Sequence, residues 1–250
     1  SIPFPETAES RSAQSWEDEV DARLAECVRR QLVSDVPLGA FLSGGVDSSL
    51  IVAAMEKPQT FSIGFENETY NELPYAKAVA AHLGVDHTFE IIQPDVVELF
   101  DRLMYLLDDP IGDFSIFPTF LVSQVARKHV KVALSGDGGD ELFGGYETYA
   151  AQRLARQYER IPRWLGKPLL ETAVRRLRPR RAKKGLVNKA KRFLEGLEHS
   201  PALAHARWRL FMGETLRDSL FSPLARDALT TGIDTHVAEL FQSAGNRDPV

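Results

Sequence analysis

A run of serine, glycine and aspartate at positions 43–49 has the residue types needed to hold an anion. It follows an apolar run at 38–42 and precedes a helical pattern, which predicts a strand, a tight loop and a helix N-terminus. Gly44 and Gly45 lack Cβ atoms, so an anion can approach the backbone, and Ser43, Ser48 and Ser49 carry hydroxyl donors. This combination predicts a loop that binds a phosphate or pyrophosphate group.

Asp47 lies inside this loop and decides what must accompany the phosphate. The loop is not a Walker A motif, because no lysine follows the glycines. A carboxylate repels phosphate oxygens unless a divalent cation lies between them, so the sequence predicts Mg²⁺. A bare Gly-Gly pair is also typical of an ordinary strand-to-helix turn with a capping Ser or Asp, and the loop alone leaves that interpretation open.

A second loop, at residues 135–146, contains five glycines and three carboxylates in twelve residues. Taken alone, it is typical of a turn-rich connection. It directly follows a predicted strand, however, as the first loop does. Parallel strands end at the same edge of a sheet, so the two loops can converge there. Asp47 and Asp140 could then bridge one metal ion to phosphate oxygens.

The elements that position these loops alternate between strand and helix patterns. After the strand at 38–42, strands are predicted at 60–65, 87–92 and 131–134, and helices at 15–34 with a Ser15 cap, 46–55, 72–83, 95–107 and 117–128. Alternation with short connections favours an α/β fold, in which a parallel sheet has helices on both faces. Ligands of such sheets bind beyond the carboxyl ends of the strands, where the strand order reverses.

Charge divides the chain into two parts. Residues 1–150 contain 10 basic and 25 acidic side chains, a net charge of −15, whereas residues 151–250 contain 20 and 10, a net charge of +10. We predict a linker or tail at 1–14, an α/β domain carrying both loops at 15–150, and a basic helical part at 151–250. The acidic part would repel a phosphate ligand unless Mg²⁺ or basic side chains face the site.

Cysteine content and hydropathy indicate a soluble protein of a reducing compartment. Cys27 is the single cysteine and cannot form an internal disulfide, so we expect a cytoplasmic location. It follows Leu24 by three residues in a helical pattern, which favours a packed thiol over a nucleophile. No apolar run approaches the ~18 residues needed to cross a bilayer.

Three motifs resemble those of a known enzyme family. The first, SGGVDSS at 43–49, resembles the loop of the PP-loop ATP pyrophosphatase superfamily, whose members adenylate a carboxylate or amide oxygen and release pyrophosphate. With TFSIGF at 60–65 and SGDGGDELFGGY at 135–146, the order and spacing resemble the synthetase domain of glutamine-dependent asparagine synthetases and related amidotransferases. The resemblance covers about residues 16–250 and implies a PP-loop fold, a helical continuation, and use of ATP and Mg²⁺.

The resemblance also implies roles for individual residues. Leu42 and Ile63 would contact the adenosine, Asp137 would assist formation and ammonolysis of an acyl-adenylate, and Asp140 would join Asp47 at Mg²⁺. The residues implied to hold pyrophosphate or complete the nucleotide site are Ser43, Gly44, Gly45, Asp47, Ser48, Ser135 and Gly136. Several members of the family have Glu at the position of Asp137, and some have a basic residue in the stretch that corresponds to 109–115, where this sequence has none.

By this resemblance, we predict an enzyme that activates the side-chain carboxylate of aspartate, or of a related acid, with MgATP and transfers ammonia to it. The products would be asparagine, AMP and pyrophosphate. Ammonia would come from a glutaminase domain that this sequence lacks, no membrane partner is predicted, and a homodimer is among the assemblies that the resemblance allows. The family's Arg-x-Pro-Phe-Leu-Asp segment and a later catalytic Lys do not occur before Val250. We therefore expect the 250 residues alone to bind MgATP weakly at most and to form little amide.

Three alternatives remain open. A related amidotransferase or a β-lactam-forming synthetase would use the same loops on another acid. An RNA-modifying PP-loop enzyme would use the basic run at 175–192 as a tRNA platform, although a solvated surface is the ordinary interpretation of such a run and disfavours nucleic acid as a partner. A non-catalytic scaffold would keep the fold, but both loop carboxylates are present.

Overall fold

The computed structural model describes residues 10–66, 71–93, 95–109, 111–162, 164, 167–178, 185–209, 216, 219–228 and 233–243. Residues 1–9 of the predicted tail lie outside these ranges. The chain divides into two units, one ending at Gly138 and the other beginning at Gly139. The first unit contains a sheet and helices, and the second is helical in its described residues.

A parallel sheet forms the centre of the first unit. Its strands are β1 (Leu38–Phe41), β2 (Gln59–Phe65), β3 (His87–Ile92) and β4 (Val132–Leu134), in the order β3-β2-β1-β4. The chain passes outward from β1 to β2 and β3, and then returns to β4 on the other side of β1. Ala40 in β1 lies opposite both Thr60 of β2 and Leu134 of β4. The predicted α/β fold is confirmed, and the strand order reverses between β1 and β4.

The helices of the first unit cover both faces of this sheet. They are α1 (Ala13–Gln31), α2 (Val46–Ala53), α3 (Leu73–Leu83), α4 (Val96–Leu106) and α5 (Ile116–Ala126). On one face, Ala40 and Leu42 pack with Val28, Val52 and Ala76. On the other face, Phe61, Val125 and Val130 are buried together, with Phe41 and Ile63 packed against them. Neighbouring residues of β1 therefore alternate between two apolar clusters, as a strand buried on both faces requires.

The first helix differs from its prediction at two points. Its N-cap is Ser12 rather than Ser15: the Ser12 side chain accepts a hydrogen bond from the Ser15 N–H at 3.2 Å. Cys27 is exposed, so the predicted packed thiol is wrong. The buried position is the next one, Val28, and successive residues of an α-helix point about 100° apart. A position three residues after Leu24 therefore does not place Cys27 on the buried face of α1.

The described residues of the second unit form helices. In order, they are α6 (Gly139–Phe143), α7 (Glu147–Glu159), α8 (Lys167–Arg176), α9 (Leu186–Gly196), α10 (Pro201–Arg209), α11 (Pro223–Ala228) and α12 (Ile233–Ser243). Its core contains Ala155, Ala204 and Trp208, and the Trp208 ring stacks on Phe193 at a centroid distance of 5.9 Å. Within the described parts of the chain, no helix is both long enough and apolar enough to span a membrane.

Candidate functional site

The first loop leaves β1 at Leu42, which is held against β2 by two hydrogen bonds. Its N–H donates to the Phe61 carbonyl at 3.0 Å, and its carbonyl accepts a hydrogen bond from the Ser62 hydroxyl. Leu42 is 2% exposed and belongs to the apolar cluster that contains Val52 of α2. Ile63 packs into the cluster on the opposite face of the sheet, with Phe61. Both residues therefore anchor the carboxyl edge of the sheet, and their predicted contact with adenosine stays a prediction.

The serines of the first loop are bonded to each other and to the loop backbone. The Ser43 and Ser48 hydroxyl oxygens are 2.9 Å apart, and Ser48 Oγ also accepts from the Ser43 N–H at 3.2 Å. Ser43 Oγ accepts from the Gly45 N–H at 3.1 Å, and Ser49 Oγ donates to the Gly45 carbonyl at 2.6 Å. These bonds set the shape of the loop in the structure. The predicted contact of the Ser43 and Ser48 hydroxyls with pyrophosphate stays a prediction.

Gly44 explains why the loop requires glycine. Its φ is +83°, a conformation that residues with a side chain rarely adopt. A Cβ built on Gly44 would also lie 2.5 Å from both the Tyr75 carbonyl carbon and the Ala76 nitrogen. The loop thus rests directly on the backbone of the first turn of α3. The sequence pattern did not reveal this support, because residues 44 and 75 are far apart along the chain.

The next glycine, Gly45, occupies the N-cap of α2 and makes no side-chain cap. Asp47 follows in the first helical turn, and Val46 beside it is 74% exposed. The start of α2 is therefore open to solvent, and the helix dipole favours negative charge at this end. The Asp47 carboxylate lies in the first turn of this helix. An anion bound at the helix start would therefore need a cation between itself and Asp47.

The second loop meets the first through Gly136. A Cβ on Gly136 would lie 2.6 Å from the Ser48 nitrogen and 2.9 Å from the Asp47 carbonyl carbon. The two loops are therefore in van der Waals contact at the point where β1 and β4 end. This contact follows from the strand order, since β1 and β4 are neighbours and the chain leaves both at the same edge.

Asp137 lies next to this contact and is exposed. Its Oδ2 accepts a hydrogen bond from the Ser135 hydroxyl at 2.9 Å, and its own N–H donates to Ser135 Oγ at 3.4 Å. Ser135 thereby orients the Asp137 carboxylate. Of the predicted residues, the structure brings together those at 43–48 and those at 135–137, all within the first unit.

Asp140 belongs to the second unit, in α6. Its predicted pairing with Asp47 at a metal joins residues of two units and stays a prediction. In the described ranges, no group of three or more His, Cys, Asp or Glu side chains has the arrangement of a metal site. Mg²⁺ needs fewer protein ligands than that, because it is commonly held by one or two carboxylates together with phosphate oxygens and water.

The basic run of the second unit is engaged in structural contacts. Arg175 donates to Glu198 at 2.6 Å, Lys189 donates to Glu147 at 2.7 Å, and Lys191 donates to the Arg175 carbonyl at 2.9 Å. Residues 179–184 of the run lie outside the described residues. The side chains of Arg175 and Lys189 are 49% and 45% exposed, so the interpretations of the run as a solvated surface and as a tRNA platform both stay predictions.

Comparison with known proteins identifies the family. A family model described as "Asparagine synthase" matches residues 19–238. The chain is 40% identical over 175 residues to glutamine-hydrolyzing asparagine synthetase 1 of Bacillus subtilis, covering 66% of this chain and 28% of that protein. It is 45% identical over 149 residues to putative glutamine-hydrolyzing asparagine synthetase 2 of Methanocaldococcus jannaschii, covering 57% of this chain and 29% of that protein.

Among solved structures, an NH3-dependent NAD synthetase from Campylobacter jejuni, in complex with the nitrate ion, aligns with a TM-score of 0.35 and 18% identity. That alignment covers 52% of this chain and 60% of the other. The alignments with the two curated relatives span less than a third of those proteins' length. The family match, in contrast, spans most of this chain and includes both glycine-rich loops and the strands that carry them. The chain therefore belongs to the asparagine synthase family.

Proposed function

We propose that this chain is the ATP-using part of an amidotransferase that converts the side-chain carboxylate of aspartate into an amide. The observation that carries the proposal is the contact of Gly136 with the Asp47–Ser48 peptide. It joins two glycine-rich loops at the reversal of strand order, where α/β sheets bind their ligands. One loop leads into the N-terminus of α2, which favours an anion, and the other carries the carboxylate of Asp137, oriented by Ser135.

The loop at 43–48 would hold the pyrophosphate part of ATP. Gly45 is exposed at the N-cap of α2, and this end of the helix favours negative charge. The hydrogen bonds between Ser43 and Ser48 keep the loop in one conformation before the ligand arrives. A preorganised loop stabilises the departing pyrophosphate without first having to rearrange.

The donor set of this loop fits Mg²⁺. Asp47 offers a carboxylate beside the phosphate position, and Mg²⁺ prefers carboxylate, phosphate and water oxygens. We propose Asp47 as one ligand and Asp140 as a second. When bound, Mg²⁺ would neutralise charge on the phosphate oxygens and assist the departure of pyrophosphate.

ATP is a substrate in this proposal. An oxygen of the aspartate side chain forms a bond to the α-phosphorus as the bond from that phosphorus to pyrophosphate breaks. Ammonia then forms a C–N bond at the acyl carbon, the bond to AMP breaks, and the nitrogen loses its surplus protons. Asp137 is an exposed carboxylate held by Ser135, and we assign to it assistance in both steps, including acceptance of a proton from nitrogen.

The source of ammonia and the location of the protein are further proposals. The two curated relatives are named as glutamine-hydrolyzing, and we propose that glutamine hydrolysis in a separate domain supplies the ammonia. We also propose a cytoplasmic location, in keeping with a single cysteine. The homodimer that the family resemblance allows is a separate proposal.

The substrate is tested by product analysis. The chain is incubated with Mg²⁺, ammonia, ATP labelled at the α-phosphorus, and a panel containing aspartate, glutamate and β-amino acids. Aspartate-dependent formation of labelled AMP together with asparagine supports the proposal. Labelled AMP formed with another acid would assign the site to a related amidotransferase or β-lactam-type synthetase. The 250 residues alone are expected to form little amide, so slow aspartate-dependent release of labelled AMP is sufficient support. Binding of ATP with no detectable AMP formation from any acid would contradict amide synthesis by this chain.

A further inference from the structure

Glu141, Tyr146 and Arg209 form a side-chain cluster in the second unit to which the proposed function gives no role. The Tyr146 hydroxyl donates a hydrogen bond to Glu141 Oε1. The Arg209 guanidinium carbon lies 4.5 Å from the centre of the Tyr146 ring. Glu141 is in α6, Tyr146 is the N-cap of α7, and Arg209 is the last residue of α10. The cluster therefore joins α10 to the turn between α6 and α7.

Asp140 lies in the same turn. The Gly145 N–H donates to the Asp140 carbonyl at 3.0 Å, and a Cβ at Gly145 would overlap the Asp140 carboxylate. Gly144, with φ of +67°, reverses the chain so that Gly145 packs against Asp140. The position of the Asp140 carboxylate thus depends on how closely the two ends of this turn are held together.

The turn has little to hold it besides these contacts. α6 is only five residues long, and an isolated helix of that length does not keep its geometry in water. Glu141, Leu142 and Phe143 are all exposed, so burial contributes little restraint. The hydrogen bond between Tyr146 and Glu141 joins the two ends of the turn. The Arg209 guanidinium packs over the face of the Tyr146 ring.

We propose that Tyr146 is a positioning residue: with Glu141 and Arg209 it forms a latch that fixes the orientation of the Asp140 carboxylate. The inference rests on the proposed function, in which Asp140 is a ligand of Mg²⁺. The residue types suit the role. The phenol hydroxyl supplies the donor for Glu141, and a planar guanidinium stacks on the ring face better than an ammonium group does.

The test removes one hydroxyl. Tyr146→Phe keeps the ring under Arg209 and loses only the hydrogen bond to Glu141. The matched control is Tyr149→Phe, which removes a hydroxyl from a neighbouring ring, 6.2 Å from Tyr146, and keeps its contact with His205 at 5.3 Å. Glu141→Gln serves as the conservative variant, because a side-chain amide still offers an oxygen that accepts from Tyr146.

The first measurement is amide hydrogen exchange of residues 140–146 in the ligand-free chain. Loss of one hydrogen bond is expected to speed exchange of the Gly145 amide about fivefold in Tyr146→Phe. Tyr149→Phe and Glu141→Gln are expected to exchange like the wild type. Exchange at the wild-type rate in Tyr146→Phe would overturn the latch.

The second measurement is the Mg²⁺ concentration at which ATP binding is half-saturated. It is expected to rise about fivefold in Tyr146→Phe and to stay at the wild-type value in Tyr149→Phe and Glu141→Gln. Faster exchange with unchanged Mg²⁺ dependence would overturn the positioning role and leave the latch purely structural. If the wild type shows no Mg²⁺-dependent ATP binding, the proposed function and the positioning role both fail, and the exchange comparison still decides whether the latch exists.

Discussion

Replacing Gly136 with alanine tests whether the two loops touch. The new Cβ would lie 2.6 Å from the Ser48 nitrogen, whereas ordinary contact begins at 3.4 Å, so the loops must separate by about 0.8 Å, the difference between these distances. The opposing atoms belong to the backbone, which cannot rotate away as a side chain can. Overpacking of this kind costs about 1–3 kcal/mol, and each kcal/mol lowers Tm by about 2–4 °C in a chain of this size.

The assay compares Gly136→Ala with Gly112→Ala by thermal unfolding and by MgATP affinity. Gly112 is a suitable control because a Cβ there would meet no heavy atom within 4 Å. We expect Gly112→Ala to match the wild type. Gly136→Ala is expected to unfold at a lower temperature. It is also expected to bind MgATP at least about tenfold more weakly, because the two loops that would hold the nucleotide are pushed apart. Equal Tm and equal affinity in the two variants would refute the contact between the loops.

Three further perturbations address the chemistry, the pH dependence and the backbone. Asp137→Ala should lower the rate of AMP formation at least about a hundredfold with little change in ATP affinity, because its carboxylate is assigned to the reacting groups; an equal loss of both, in kinetics and calorimetry, would mean that it binds phosphate. Burial, with a smaller contribution from the Lys77 ammonium, lowers the pKa of His87, whose Nδ1 is 2.9 Å from Thr60 Oγ1. As pH falls, the His87 imidazole therefore takes up a proton more readily in the unfolded chain than in the folded one. The free energy of unfolding should then fall as pH drops below about 6.5. Urea titrations at about pH 5.5 and about pH 7.5 should show a smaller fall for His87→Gln than for the wild type. Lys57 has φ of +47°, a conformation that glycine adopts more easily. Lys57→Gly should raise the free energy of unfolding by about 0.5 kcal/mol, because the backbone strain it relieves exceeds the entropy that glycine adds to the unfolded chain. A free energy of unfolding below that of the wild type in chemical denaturation would contradict this.

The strands and most helices could be predicted from the sequence because local signals define them. β3 has the predicted bounds, His87–Ile92, and α3 ends at Leu83 as predicted, with Gly84 in the left-handed conformation as its C-cap. Both glycine-rich loops directly follow strands, and the strand order brings them together. Their convergence was predictable because parallel strands of one sheet end at one edge.

Contacts between distant residues could not be predicted in this way. The support of Gly44 by Tyr75 and Ala76 depends on where α3 returns to the sheet, which no local pattern specifies. The bond between the Ser43 and Ser48 hydroxyls depends on the curvature of the loop, which the residue types alone do not specify.

The side-chain contacts of Tyr146 in the second unit could not be predicted from the sequence either. The motif that contains Glu141 and Tyr146 was recognised for its carboxylates and glycines, whereas the role of the tyrosine depends on a hydrogen bond across a turn. Arg209 lies 63 residues further along the chain, and its contact with Tyr146 arises only when α10 has folded beside α7. Such pairs are set by tertiary packing rather than by spacing.

The central claim is that the converged loops bind ATP through Mg²⁺ beside Asp47. It is tested most directly by calorimetric titration of ATP, with and without Mg²⁺, into the wild type, Asp47→Asn and the exposed control Asp21→Asn on α1. The wild type and Asp21→Asn should bind ATP only with Mg²⁺, and Asp47→Asn should lose at least about tenfold in affinity at an unchanged Tm, the effect of removing one charged ligand. Equal Mg²⁺-dependent affinity in Asp47→Asn and the wild type would contradict the claim.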